Sequence, residues 1–397
     1  MWLVPALRFP EFTEEWEEHY LAEYLDFKNG LNPSANKFGS GIKFISVMDI
    51  LNNDFITYDC IRTSVEITPE EQVAFAVEKG DMLFQRSSET LEDVGRANVY
   101  MDDRPAVFGG FVIRGKKKAE YNPMFFRYLL ASPYARKKVI PMGAGAQHFN
   151  IGQDGLSKVK LHFPILQEQQ KIADLLRLIN ERISTQNKII EKLETLIKGF
   201  VDSIFTANKF PKVPFKEIYV RAGEGGTPAT SNPEYYDNGT IPFIKIDDLQ
   251  NKYIKTNKDC ITELGLQKSS AWIVPANSII YSNGATIGAI SINLFPVCTK
   301  QGILGVVPKA DINVEFLYYF MTSTAFTKAV ERIVTEGTMR TAYLKDINHI
   351  PCPVPYPVKQ DEIAKMLSTL SEKLENEVIF QMKLQKQKEF LLSQMFI

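Results

Sequence analysis

Asn232-Pro233-Glu234-Tyr235 is the stretch of this chain that comes nearest to catalytic chemistry. It imitates the Asn/Asp-Pro-Pro-Tyr/Phe motif of a DNA methyltransferase, but Glu234 stands where the second proline belongs. Such an enzyme also needs a Gly-rich cofactor loop after a strand, and Gly223-Glu224-Gly225-Gly226 lies too near and follows no convincing hydrophobic run. No Gly-x-x-x-x-Gly-Lys-Ser/Thr phosphate loop occurs, and no paired acidic-Lys cluster marks a metal-dependent cutting site. Cys60, Cys260, Cys298 and Cys352 form no Cys-x-x-Cys pair and the four histidines are dispersed, so neither a zinc site nor a disulfide framework is expected. Cys60 and Cys260 occupy similar places in two related stretches and read as small buried apolar side chains. The chain is therefore expected not to be an enzyme.

The elements around these residues are those of a globular protein, with 45% hydrophobic and 23% charged residues, and 397 residues suffice for two domains. Pro5 and Arg8 interrupt what a signal peptide would keep apolar, and no window approaches the roughly eighteen apolar residues of a membrane span. A cytoplasmic protein without membrane contact is expected.

An internal duplication organises the chain. Gln169, Ile172, Ala173, Leu176, Ile179, Ile183, Leu193 and Phe205 return 191 residues later as Gln360, Ile363, Ala364, Leu367, Leu370, Leu374, Leu384 and Phe396. In the first copy Ile172, Leu176, Ile179, Ile183, Ile190, Leu193, Ile197, Phe200 and Ile204 follow three-and-four spacing, the seam of a coiled coil. This predicts one helix from Leu166 to Phe205, about 60 Å long at 1.5 Å per residue. The second copy starts after Pro355 and Pro357 and has a weaker seam, with Gln381 and Lys388 at the places of Ile190 and Ile197. Near the midpoint of each helix the seam is polar, at Gln186 and Glu377. Equal helices paired antiparallel bring their midpoints together, so these two side chains either fix the register or face water.

Ahead of each helix lies a segment of roughly 150 residues with shared landmarks, on the scale of an ordinary domain. Trp16–Tyr20 aligns with Phe215–Tyr219, and Phe44–Ile50 with Phe243–Leu249, read as short strands ending in polar turns. Gly80–Phe84 resembles Asn277–Tyr281, a turn feeding a strand, and Asn122–Leu129 matches Asn313–Phe320, an amphipathic helix with its aromatics inward. The expected fold is mixed α/β: globe 1–163, helical spacer 164–206, globe 207–354 and helical spacer 355–397.

Gly225-Gly226-Thr227-Pro228, Asn232-Pro233-Glu234-Tyr235-Tyr236, Gly239, Ile241-Pro242-Phe243 and Asp247-Asp248-Leu249 together resemble the opening of a target-recognition domain in specificity (S) subunits of type I restriction-modification systems, the HsdS family. The first copy keeps Gly30-Leu31-Asn32, Phe44-Ile45 and Asp49-Ile50 but lacks the Gly-Gly-Thr-Pro and Asn-Pro-Glu-Tyr stretches. A proline followed by Gln-x-x-Ile-Ala at the head of each long helix resembles the family's helical spacers. The resemblance spans nearly the whole chain. It implies two target-recognition domains, each followed by a long α-helix, the helices forming an antiparallel coiled coil with pseudo-twofold symmetry. It further implies a subunit that reads a bipartite asymmetric target in double-stranded DNA and docks two methyltransferase subunits, and through them restriction/translocase subunits. No cofactor is implied in this chain, while S-adenosylmethionine, ATP and magnesium are expected on the partners. A coiled-coil scaffold that binds no DNA is the competing reading.

The formal net charge of −1 argues against tight duplex binding by the isolated chain. Lys116-Lys117-Lys118 and Arg136-Lys137-Lys138 are compact basic runs, either phosphate contacts or solvated turns. Base reading needs Arg, Lys, Asn or Gln on loops that reach a groove. Candidates in the first globe are Gln85, Arg86 and Ser87 after a predicted strand, with Gln147 and His148 in a glycine-rich loop. In the second they are Asn283 and Thr286, Thr338 and Arg340, and the pair Lys300 and Gln301.

Overall fold

The computed structural model describes residues 4–145, 147–207, 210–284, 286–334 and 340–397. The chain forms two compact units, Met1–Asn187 with Ile379–Ile397, and Lys188–Val378. The long helices are Leu166–Ala207 and Pro357–Gln394, and each gives one half to either unit. Gln186 and Glu377 stand next to the two points where the units divide; Gln186 is buried and Glu377, half-buried, takes a hydrogen bond from Lys373. Neither side chain simply faces water.

In the first unit the antiparallel strands Leu25–Asn29, Val112–Lys117, Met82–Gln85 and Ala97–Val99 form one sheet in that order. A smaller sheet joins Ser64–Val65, Phe38–Ile45 and Val107–Phe108. Glu17–Tyr20 pairs with Lys160–Phe163, so the last strand of the domain is fixed immediately before Pro164 launches the first long helix. The core gathers Trp16, Phe84, Phe125 and Phe126 with Ile172, Ala173 and Leu176 from the head of that helix and Leu391, Met395 and Phe396 from the tail of the second. Farther along, Arg182 lies over the Phe380 ring at 5.3 Å. Leu176 shares a core with Leu391, Asn180 and Ile183 line one pocket with Gln385 and Lys388, and Arg182 meets Phe380, so the two helix halves run antiparallel within this unit.

The second unit repeats the plan with one more strand. Tyr219–Glu224, Ile303–Pro308, Ile279–Ser282, Ile290–Asn293 and Tyr253–Ile254 form its main sheet, and Asp259–Ile261, Ile241–Ile244 and Cys298–Thr299 a smaller one. Lys212–Pro214 pairs with Pro351–Pro353 ahead of the second long helix. Ile363, Ala364 and Leu367 from that helix's head share a core with Val201 and Phe205 from the tail of the first, where Phe205 packs edge-on to Phe316 and Phe320.

One buried side chain fastens each helix head to its domain. Gln169 Oε1 accepts the Asn122 N–H at 3.0 Å while its Nε2 donates to the Pro164 carbonyl at 2.9 Å. Gln360 does the same with Asn313 (2.9 Å) and Pro355 (2.9 Å) and also donates to Asp311. Asn122 and Asn313 in turn cap the helices Pro123–Ala131 and Val314–Thr322 by accepting N–H bonds from Phe125 and Phe316. Their amide groups reach back to Gln170 and Asp361 on the long helices. The recurring Gln-x-x-Ile-Ala is thus a polar bolt beside two core contacts.

Four expectations need correction. The short strand in Phe44–Ile50 ends at Ile45, but a helix follows it instead of a turn: Ser46 opens Val47–Asn52, with Asp49 accepting from both the Ser46 N–H and its hydroxyl. In the second copy a 3-10 turn, Ile246–Asp248, follows in the same place, with Asp248 accepting from the Lys245 N–H. The aligned Trp16 and Phe215 stretches also differ, since Glu17–Tyr20 is a strand and Phe215–Glu217 a 3-10 turn. Phe200 is 40% exposed and Val201 is buried in its stead, because a straight helix at 3.6 residues per turn carries the inward face from Ile197 to Val201 and Phe205. Cys60 and Cys260 are half-buried, the Cys60 thiol donating to the Thr57 carbonyl, whereas Cys298 and Cys352 are buried. The shared turn feeding the central strand does recur: Gly80 (φ 95°) and Asn277 (φ 60°) both take the left-handed conformation, which glycine and asparagine tolerate.

Gln169→Ala and Gln360→Ala should each cost roughly 2–4 kcal/mol, since a buried N–H and a buried carbonyl lose their partners. Urea unfolding monitored by amide exchange checks this: loss of protection should begin at Asn122 and the first turns of the first helix in one variant, and at Asn313 and the head of the second in the other.

Candidate nucleic-acid interface

Strand Met82–Gln85 ends at Arg86, whose main chain is held from two sides: its N–H donates to Phe111 O (2.8 Å) and its carbonyl accepts from Ile151 N (3.0 Å). The Arg86 guanidinium donates to Gly110 O at 3.3 Å. Ser87–Ser88 then pairs with Phe149–Asn150, and the Ser87 hydroxyl bonds to the Asn150 side chain. Three segments that are far apart in sequence therefore converge on Arg86. Gln147 and His148 are exposed on the third of them, so the two loops chosen in the first globe are neighbours. Gln85 is placed differently from the reading above: it is 5% exposed and turns its Nε2 to Ser87 O at 2.9 Å, bracing the loop.

The second unit builds the same junction. Asn283 follows strand Ile279–Ser282 and donates its N–H to Gly302 O at 3.0 Å, as Arg86 does to Phe111. Asn283 is 1% exposed, and its side chain donates to Ala342 O at 3.1 Å, so it ties the 340–342 segment down and offers no amide to a groove. Thr286, Lys300, Gln301 and Arg340 are exposed around it. Thr338 lies outside the described residues. The loop carrying Lys300 and Gln301 is pinned through three main-chain N–H groups: Lys300 N donates to Ile244 O, Gln301 N to Thr227 Oγ1, and Gly302 N to Glu224 Oε1.

Two close approaches explain the glycine-rich signature. A Cβ on Gly225 would lie 2.0 Å from Thr299 O, beside the pinned loop, and one on Gly226 would lie 2.4 Å from Ala271 N, against a different segment, so a side chain at either position would force backbones apart. Asn232 caps the 3-10 turn Pro233–Tyr235 by accepting from Glu234 N, and Tyr236 donates its hydroxyl to Pro228 O. The residues that imitate a catalytic motif hold a turn together.

Lys116 and Lys117 of the first basic run are paired with Glu78 and Glu120, and Lys245 in the second globe with Asp259. One functional candidate was missed. Phe111, 67% exposed, projects from the loop beside Arg86 at the place that Gly302 takes in the second unit. The preceding Gly109-Gly110 pair signals a turn, and an aromatic directly after it is the signal that could have found it.

A family model described as the type I restriction modification DNA specificity domain matches residues 13–195 and again 212–383. The chain belongs to that family. Among its relatives, the type I restriction enzyme HindI specificity subunit of Haemophilus influenzae is 24% identical, with 82% of this chain and 86% of the relative covered. The MjaIX specificity subunit of Methanocaldococcus jannaschii is 32% identical over 164 residues, 41% of this chain and 38% of its own. The fold is shared with the type I restriction-modification S subunit from M. genitalium, at a TM-score of 0.59, 15% identity and 99% coverage of both chains. A chain from a type I R-M system structure matches with a TM-score of 0.61, 14% identity and 95% and 96% coverage. Each matched specificity domain contains one of the two loop junctions described above.

Gly225→Ala should destabilise the second unit by about 3 kcal/mol, the upper range for a forced overlap in packed structure. Amide exchange should show protection falling along Tyr219–Glu224 and Ile303–Pro308 while the strands of the first unit keep theirs.

Proposed function

We propose that this specificity subunit reads a bipartite, asymmetric sequence in double-stranded DNA, the first domain contacting one half-site through Arg86, Ser87, Phe111, Gln147 and His148 and the second through Thr286, Lys300, Gln301 and Arg340. One observation carries the reading: two domains with the same sheet-and-loop junction present unlike side chains at equivalent places, Arg86 against Asn283 and Phe111 against Gly302. Equal frameworks with unequal loops suit two short, unlike half-sites. Thr338 belongs to the same proposal by its sequence position. Gln186 and Glu377 fix the register of the long helices, and the helix length sets the unread gap between half-sites.

The chemistry of modification and cutting belongs to partner subunits in this reading, with S-adenosylmethionine, ATP and magnesium bound there. Two methyltransferase subunits dock on the long helices, and restriction/translocase subunits assemble through them. Support for docking comes from the first long helix in the second unit, where Leu196 (45% exposed) and Phe200 (40% exposed) border a groove floored by Gly199, with Lys192 and Ser203 at its edges. The near-neutral charge of the chain fits a subunit whose duplex affinity rises when its partners add phosphate contacts.

Selection from a random duplex library with the chain and its cognate methyltransferase subunit should return two short unlike motifs at a constant gap. A seven-residue insertion in the first long helix should change the gap and neither motif. A single uninterrupted motif would confine reading to one domain, and no enrichment would favour a scaffold that binds no DNA. Phe200→Asp should abolish co-purification of the methyltransferase subunit while leaving the circular dichroism of the chain intact, as the side chain is exposed.

A further inference from the structure

The helix pair Pro123–Ala131 and Pro133–Val139 walls a pocket of about 270 Å³ in the first unit, and its counterpart, Val314–Thr322 and Thr324–Glu331, walls one of about 570 Å³ in the second. The 191-residue offset relates the two linings directly. Leu130 becomes Met321, Ala131 becomes Thr322, Arg136 becomes Thr327 and Ile140 becomes Glu331. The pockets thus share a place in the fold and differ in charge. The first has three arginines, Arg96, Arg127 and Arg136, whereas the second has Arg340 and Glu331.

Two of these arginines donate to no carboxylate. Arg127 donates its Nε to Asp54 O and Asn98 Oδ1, both at 3.1 Å, and to no carboxylate. Arg136 donates Nη2 to the carbonyls of Glu92 (2.8 Å) and Val94 (2.6 Å), and its Nη1 is buried without a partner. Among the described residues neither forms an ion pair. Arg96 is paired with Asp93 at 2.7 Å, and Glu92 is the other acidic side chain at the pocket. Burial lowers the pKa of both Arg127 and Arg136, the latter to about 10; the nearby Arg96 lowers each further, while the Asp54 carboxylate acts against this at Arg127 and Asp93 at Arg136. Three guanidinium groups around one cavity that a single carboxylate lines leave a local excess of positive charge. An anion seated in the cavity offsets that excess.

We propose that this pocket is a phosphate-binding site of the first domain with no equivalent in the second. Guanidinium forks match the tetrahedral oxygens of phosphate, and three of them from three segments offer more donors than a single carboxylate accepts. The pocket lies below the roughly 300–1,000 Å³ usual for small-molecule ligands, so it takes an anion-sized group. Its rim touches the candidate reading loop, because the Arg96 carbonyl accepts the Gln85 N–H at 2.8 Å. The phosphate is either free or carried by a nucleic-acid backbone. The site stands on its own geometry and survives failure of the DNA-reading conclusion.

Thermal melting of the full chain against inorganic phosphate, with chloride at matched ionic strength as the reference, tests it. A saturable rise in Tm with phosphate is expected, with the apparent constant weakened about tenfold by Arg96→Gln, the equivalent of one lost charge-assisted contact. Arg136→Gln should weaken it as well, but it also gives up two bonds to main-chain carbonyls, so the exposed Arg96 is the decisive position. Lys328→Gln, at an exposed lysine on the Thr324–Glu331 helix that walls the second pocket, should leave the response unchanged. A short duplex of unrelated sequence that competes with phosphate would assign the pocket to backbone phosphate, and a duplex that does not compete would assign it to the free anion. No saturable rise in the unsubstituted chain, or an equal rise in Arg96→Gln, overturns the proposal.

Discussion

The bond pattern of one buried glutamine, made twice, is what the remaining architecture depends on. Gln169 and Gln360 each join a helix head to the proline-bearing turn that launches it and to the capping asparagine of a neighbouring helix. Apolar packing at a helix base is cohesive but not directional, so it holds the helix to its domain without defining the angle. Two hydrogen bonds from a single planar amide, directed at two different segments and sheltered from water, define an angle. The following Ile-Ala pair buries its side chains in the same core, at Ile172 and Ala173 and again at Ile363 and Ala364. Direction comes from the amide and cohesion from the apolar pair.

With the helix bases fixed, the domains are free to differ elsewhere. The strand that ends in Arg86 and the one that ends in Asn283 meet their neighbouring loops through the same main-chain bond. Main-chain bonding is indifferent to side-chain identity, so the junction tolerates an arginine, an asparagine, an exposed phenylalanine or a glycine. The residues that cannot vary are those where backbones meet, as at Gly225 against Thr299 O. Diversity and constraint are thereby assigned to different atoms of the same loops.

What could be seen in the sequence follows the same division. The long helices were legible because three-and-four spacing persists for many turns, and the duplication supplied an internal second witness. Phe200 was misplaced because a seam extrapolated at seven-residue spacing drifts from a straight helix, and only the tertiary contact decides between Phe200 and Val201. The helix after Ile45 was also written in the sequence, as Ser46-x-x-Asp49, a capping arrangement that outweighs the apolar run around it. Loop chemistry was harder. Gln85 and Asn283 have the right groups for reading bases, yet both lie at strand ends where the amide is more useful in bracing a loop. Phe111 was overlooked for the opposite reason: in a chain with 26 phenylalanines an aromatic reads as core until exposure shows otherwise.

Charge shows the limit of composition most clearly. A net value of −1 says little when the positive groups have such different fates. Lys116, Lys117 and Lys245 meet carboxylates at the surface, where an exposed pair contributes little energy but cancels local field. Arg127 and Arg136 have no such partners and sit in low-dielectric surroundings that strengthen their potential. Pairing some surface lysines while gathering guanidinium groups without carboxylate partners at one pocket makes anion attraction uneven over the surface. A protein that must sample long stretches of polyanion without adhering uniformly benefits from that distribution, because uniform attraction raises every site alike and leaves selectivity unchanged.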